Sequence, residues 1–232
     1  ITNLNGRIST GRQSTSSNER RISVNTIKTL INPHCVDMGA ERPVFGGHAT
    51  ADIDAVIRRS EIELSNYELK QGMLSLADDR HVDENLIQKV VKTICAIANN
   101  GAGQFGKLIL GVTDKVADSE RVLKLDGVQA VKVARRHIVG VAREAKQLGI
   151  SVEDYYARWK SYISDSDLSE PLKTSVLSNI DYNTYFGLGV IVITVPPQKE
   201  LSYYGGDVYW RDGDETKQAE DARRVASLAK RF

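Results

Sequence analysis

Glu63-Leu-Ser-Asn-Tyr67-Glu68-Leu-Lys70 opens the stretch that decides the fold, and Lys107-Leu-Ile-Leu-Gly111-Val-Thr-Asp114 closes it. Tyr67 to Lys70 reads as a strand. Residues i and i+2 of a strand share a face, so Glu68 and Lys70 point one way and Tyr67 and Leu69 the other. Lys107 to Thr113 reads as a buried strand, an apolar run bounded by charge and glycine, with Asp114 just past its C-terminal end. Between the two, Asp83 suits an N-cap, and Leu86, Ile87, Val90, Val91, Ile94, Ile97 and Ala98 recur at helical spacing. Asn99-Asn100-Gly101 supplies the stop, since Asn and Gly accept the left-handed conformation. This helix is expected to lie on the sheet. Open α/β sheets gather working groups at strand ends. Two or three carboxylates and a lysine meeting there suit a divalent metal on oxygen ligands. Such an ion activates water or steadies a phosphoryl transition state.

Upstream, Thr50 or Asp52 caps a short helix over Ile53 to Arg59, and Gln71 to Val82 reads as a polar loop. Gly101, Gly103 and Gly106 either offer backbone N–H groups to a phosphate or only turn the chain; no Walker pattern of lysine and serine or threonine accompanies them. A charged connector runs from Asp114 to Gly127. The apolar stripe Val128, Val131, Ala134, Ile138, Val141, Ala145 and Leu148 then predicts one helix. The rest of that segment carries Lys132, Arg135, Arg136, Arg143 and Lys146 against one acid, Glu144. It reads either as a solvated face or as a phosphate contact. Val152 to Ile163 reads as a further helix with Tyr155, Tyr156 and Trp159 on one side, the kind of aromatic stripe that cores use. A short helix broken near Pro171, a buried strand over Leu188 to Val195, a strand over Asp207 to Arg211 and a helix over Gln218 to Ala229 complete the chain.

The 232 residues suffice for one domain with an extension. The expected organisation is a partly flexible extension over residues 1–50 and one domain over 51–232. Charge is nearly balanced, at +1, so any nucleic-acid footprint is local. Arg7, Arg12, Arg20 and Arg21, against the single acid Glu19, make the first 23 residues either a loosely docked extension or a basic arm for phosphates. Cys95 fits a small core residue. His34, Cys35 and His48 match no zinc template. Cysteine usage suits a reducing compartment. No apolar run approaches a membrane span, and no secretory pattern stands at the N-terminus. A cytoplasmic setting without membrane partners is therefore expected. Beginning at Ile1 rather than methionine, the chain is expected to be a fragment, a processed product or part of a longer protein.

Glu63, Glu68, Lys70, Ala96-Ile97-Ala98-Asn99, Gly111, Val112 and Asp114, with the later Tyr209-Trp-Arg211-Asp-Gly213-Asp-Glu-Thr216, resemble the Schlafen AlbA_2 domain family. That family is the Schlafen core of nucleic-acid-binding and RNA-cleaving proteins. Ile97 replaces the family's usual Phe, and Gly101-Ala-Gly103-Gln-Phe-Gly106 expands its Gly-Gly. The resemblance runs from about Ile53 to Leu228. It implies an α/β fold: a mixed central sheet holding the Tyr67, Lys107, Leu188 and Val208 strands, flanked by helices, in a single Schlafen-like lobe. It also implies a metal-dependent endoribonuclease acting on tRNA or other structured RNA, with RNA favoured over DNA. Glu63, Glu68 and Asp114 would then hold Mg²⁺ or Mn²⁺, and Lys70 would counter charge on the scissile phosphate. Lys132, Arg135, Arg136, Arg143, Lys146 and Arg211 are the expected nucleic-acid contacts. The alternative is a non-catalytic nucleic-acid-binding module, in which Glu68 and Lys70 pair on a strand face and Asp114 caps a turn. One lobe's worth of motifs, against two lobes in the vertebrate Schlafen core, implies a homodimer or a neighbouring domain. Bacterial members are placed in phage defence, toxicity and transcriptional control.

Overall fold

A computed structural model describes residues 50–59 and 65–232. The expected extension up to residue 49, with its arginines, and Glu63 lie outside the described residues. Helix α1 (Thr50–Arg59) precedes strand β1 (Tyr67–Lys70), and α2 (Glu84–Ala98) leads to β2 (Gly106–Leu110) and the short β3 (Val112–Thr113). Next come α3 (Val116–Asp126), the hairpin β4 (Val131–Val133) and β5 (Arg136–Ile138), α4 (Ala142–Gln147), α5 (Val152–Ser164) and α6 (Leu172–Leu177). Strands β6 (Ile180–Tyr185), β7 (Leu188–Val195), β8 (Tyr209–Asp212) and β9 (Glu215–Gln218) lead to α7 (Ala222–Ala229).

The central sheet is mixed, in the order β1-β2-β7-β6, with β1 parallel to β2 and the remaining pairs antiparallel. Helices cover one face: Val90 and Ile94 of α2, Trp159 and Ile163 of α5 and Val176 of α6 join Leu108, Leu110, Ile191 and Ile193 in one core. On the other face Ile53, Val56 and Ile57 of α1 meet Ile109, Val190 and Val192. Tyr67 and Leu69 pack on that second core, as strand alternation requires. Glu68 and Lys70 are thereby turned toward the α2 side. The Asp83 carboxylate caps α2, accepting from Leu86 N–H at 3.0 Å. Cys95 is fully buried in the first core, and burial pushes its thiol up to about 12.

Four expectations need correction. The strand over Lys107 to Thr113 divides at Gly111, whose φ of +99° and close approach to Gly140 would strain and crowd any side chain. Gly111 N–H still donates to Lys70 O, but its own carbonyl accepts from Val139 and Gly140, and β3 enters a second sheet, β3-β5-β4. The segment over 128–148 is no single helix: it is the β4–β5 hairpin followed by the short α4. The supposed connector before it is helix α3. Finally, the Val208 strand is absent from the central sheet. It pairs with β9 alone, and the fourth central strand is β6. Among the described residues no helix is long and apolar enough to cross a membrane.

Candidate functional site

Strand β1 offers Glu68 to two cations. Lys70, its neighbour on the same strand face, contacts Glu68 Oε1, and Arg211 Nη1 donates to Oε2 at 3.0 Å. Arg211 Nη1 also donates to Thr216 Oγ1 at 3.0 Å, and that hydroxyl lies 2.9 Å from Thr93 Oγ1 of α2. The early and late motif pieces, 143 residues apart, therefore meet in one network spanning β1, the β8–β9 hairpin and α2. The partners differ in exposure. The Arg211 side chain is 1% exposed, that of Glu68 14% and that of Lys70 20%.

Lys70 also lines an open cavity of about 340 Å³ at the C-terminal ends of β1 and β3. Asp114, Lys115 and Asp118 line it together with Gln71, Ser75 and Asp83. Asp114 is more than half exposed and faces Arg136 at 3.9 Å. That pairing follows from register, because Thr113 lies opposite His137 and the next residues along are Asp114 and Arg136. The hairpin turns through Ala134 at φ +55°, and it carries exposed Lys132 on β4, opposite His137, and exposed Arg135 in the turn.

The expected basic set is divided. Lys132, Arg135 and Lys146 are exposed, the first two on the hairpin and the third on α4. Arg136 is largely covered and ion-paired. Arg143 and Arg211 are buried, so the expectation that they meet nucleic acid is corrected: each satisfies a carboxylate inside the fold. Arg143 Nη1 pairs with Asp126 at 2.6 Å, and its Nη2 donates to Gln71 O at 2.7 Å and Glu144 Oε1 at 3.0 Å. Glu144 Oε2 accepts from Met73 N–H at 2.7 Å, Leu74 N–H at 3.1 Å and the Tyr155 hydroxyl at 2.7 Å. Complete burial pushes the Glu144 carboxyl up, against the pull of Arg143 and these donors. Arg80 joins Asp126 at 2.8 Å, and Arg121 Nε donates to Leu76 O at 2.9 Å. Side chains of α3, α4 and α5 thus hold the loop after Lys70 and shape one wall of the cavity. This clasp escapes a reading of the sequence, because the contacts that tie it to the loop span 45 to 72 positions.

Asn99, the end of the Ala-Ile-Ala-Asn match, is structural. Its amide donates to Ser202 O and Tyr209 O at 2.9 and 2.8 Å, and its oxygen accepts from Ser202 N–H. Glu68 and Asp114 are hard oxygen donors, the kind that Mg²⁺ and Mn²⁺ take. Among the described residues no three His, Cys, Asp or Glu gather closely enough to hold an ion.

A family model described as Schlafen, AlbA_2 matches residues 63–220. None of the curated proteins matches the chain. Among solved structures, the chain is similar to the DIP2311 protein from Corynebacterium diphtheriae, at 14% identity and a TM-score of 0.40. That match covers 75% of this chain and 28% of the other.

Proposed function

The chain belongs to the Schlafen AlbA_2 family, and on that premise we propose that it binds RNA and cleaves it with a divalent metal ion. The observation that supports this most is the meeting of Lys70 and Asp114 in one open cavity, with exposed Lys132 and Arg135 on the hairpin whose β5 pairs with β3. A phosphodiester backbone needs cations along its path and a carboxylate where it is cut. Lys132 and Arg135 hold flanking phosphates, and Lys70 faces the scissile one. In this reading Glu68 and Asp114, with the family-matched Glu63, would hold Mg²⁺ or Mn²⁺. A bound ion supplies polarisation of water and of the phosphoryl oxygens.

Binding without cleavage is a second reading. It draws on the engagement of both Glu68 oxygens by Lys70 and Arg211. The two readings separate in one assay on labelled RNA with Mn²⁺. Asp114→Asn, at an exposed position, is expected to bind RNA and not cleave it. Lys132→Ala/Arg135→Ala is expected to weaken binding and lower the salt dependence, by about 0.7 in log–log slope per lost single-strand contact. Salt-sensitive binding with no cleavage by the wild type selects the second reading. Absence of binding to both RNA and DNA overturns the proposal.

A further inference from the structure

A second groove, of about 370 Å³, lies between α2 and the β8–β9 hairpin. Asn85, Gln88, Lys89 and Lys92 of α2 line it, with Gln218 and Tyr209 from the hairpin. None of the described residues lining it carries a carboxylate, and no ion pair joins either lysine to a described acid. The helical neighbours of the lysines are uncharged: Asn85 and Thr93 for Lys89, Gln88 and Ala96 for Lys92. The two ammonium groups stand one turn apart and repel, and an anion between them relieves that repulsion. Lys92 Nζ lies 5.7 and 5.5 Å from the ring centres of Tyr204 and Tyr209, contacts that hold it at the groove wall.

Trp210 stands opposite Lys217 in the hairpin, on the other face from Tyr209. There a groove of about 480 Å³ adjoins the first through Gln218, which lines both. Arg224 of α7 stacks on the indole, its guanidinium carbon 4.2 Å from the ring centre. Charge in this groove is balanced, Lys217 and Arg224 against Glu220 and Asp221, and Lys217 is already paired with Asp212 and Glu215. A balanced groove with an aromatic wall suits a flat neutral ring, whereas the groove of Lys89 and Lys92 suits an anion.

We infer that these adjoining grooves bind one segment of single-stranded nucleic acid, with a phosphate at Lys89 and Lys92 and the neighbouring unpaired base on the Trp210–Arg224 stack. Phosphate and base alternate along a strand, as the two grooves do across Gln218. Bases stack on aromatic rings and on arginine planes alike, with little regard to sequence. The contact is separate from the Lys70 cavity. It rests on the nucleic-acid part of the reading above, and on neither a metal nor cleavage.

The test is tryptophan emission during titration with a single-stranded RNA oligonucleotide and with a duplex of the same sequence. Of the chain's two tryptophans Trp159 is fully buried, so Trp210 is the one that a base can meet. The single strand is expected to quench the wild-type emission, and the duplex, whose bases are already stacked, to leave it unchanged. Trp210→Leu is expected to lose the quenching and to bind the single strand about fivefold or more weakly. Lys89→Ala/Lys92→Gln is expected to weaken binding and to lower the log–log salt slope by about 0.7 per lost contact, with quenching still reached at saturation. The wild-type quenching needs no substitution, so it decides the matter even where a variant fails to fold. RNA binding that leaves the emission unchanged, equal quenching by the duplex, or wild-type affinity in both variants overturns the inference and leaves the proposed function standing. A wild type that binds neither RNA nor DNA, with or without Mn²⁺, overturns both.

Discussion

Glu68 and Glu144 are both carboxylates held by arginine, and they lie at opposite limits of what such a pair does. Glu144 has no exposure and satisfies its oxygens with one guanidinium, one phenol and two backbone N–H groups. Each partner is internal, so nothing from solution can replace one without opening the fold. Glu68 is held on one oxygen by a buried arginine and on the other by a lysine at the rim of a cavity. Similar charges therefore serve different ends, and the solvent access of the partners makes the difference. The Glu144 clasp fixes the loop after Lys70, and of the Glu68 partners only Lys70 reaches the cavity.

The comparison is broken most severely at the clasp. Glu144→Ala is expected to destabilise by about 3–5 kcal/mol, since it leaves Arg143 buried with an incomplete set of partners. Urea unfolding measures it. Gly72→Ala acts on the same contact from the other side, because an added Cβ would overlap the Glu144 carboxylate. A large fall in Tm is expected, and an unchanged Tm would show that the clasp is looser than described. Arg211→Met is expected to cost about 2 kcal/mol, the loss of hydrogen bonds to a charged group. Lys70→Met is expected to change stability by less than about 1 kcal/mol, since its ion pair is partly solvated. Equal destabilisation by these last two would erase the asymmetry between the cations. Smallest of all, Lys132→Ala/Arg135→Ala is expected to leave stability within about 0.5 kcal/mol, with its effect confined to nucleic-acid binding.

Much of this frame is legible in the sequence wherever the signal is local. Asp83 caps α2, the spacing from Leu86 to Ala98 gives its buried face, and the alternation of Tyr67 to Lys70 orients Glu68 and Lys70. The hairpin was hidden for a physical reason. Over a few residues, periods of 2 and 3.6 overlap, so Val131, Ile138 and Val141 fit a helical stripe as well as two strands and a turn. Its turn uses Ala134 at positive φ in place of the glycine or asparagine that would announce it. The β-branched run Val131, Val133, Ile138 and Val139 was the available strand signal. Strand β6 was missed because Asp181 and Asn183 break its apolar pattern, yet both are buried. Arg143 looked like a surface cation because neither Asp126 nor Gln71 is a helical neighbour. The Glu68–Arg211 contact follows from no local rule; only the ordered family motif hinted that the two pieces belong together.

The most direct measurement is Mn²⁺-dependent cleavage of labelled tRNA, single-stranded RNA and single-stranded DNA by the wild type beside Glu68→Gln. It is made at a temperature where both give the same circular dichroism. The account expects the wild type to cleave an RNA and Glu68→Gln to have no detectable cleavage. Equal cleavage by both proteins, or none of any substrate by the wild type, would contradict it.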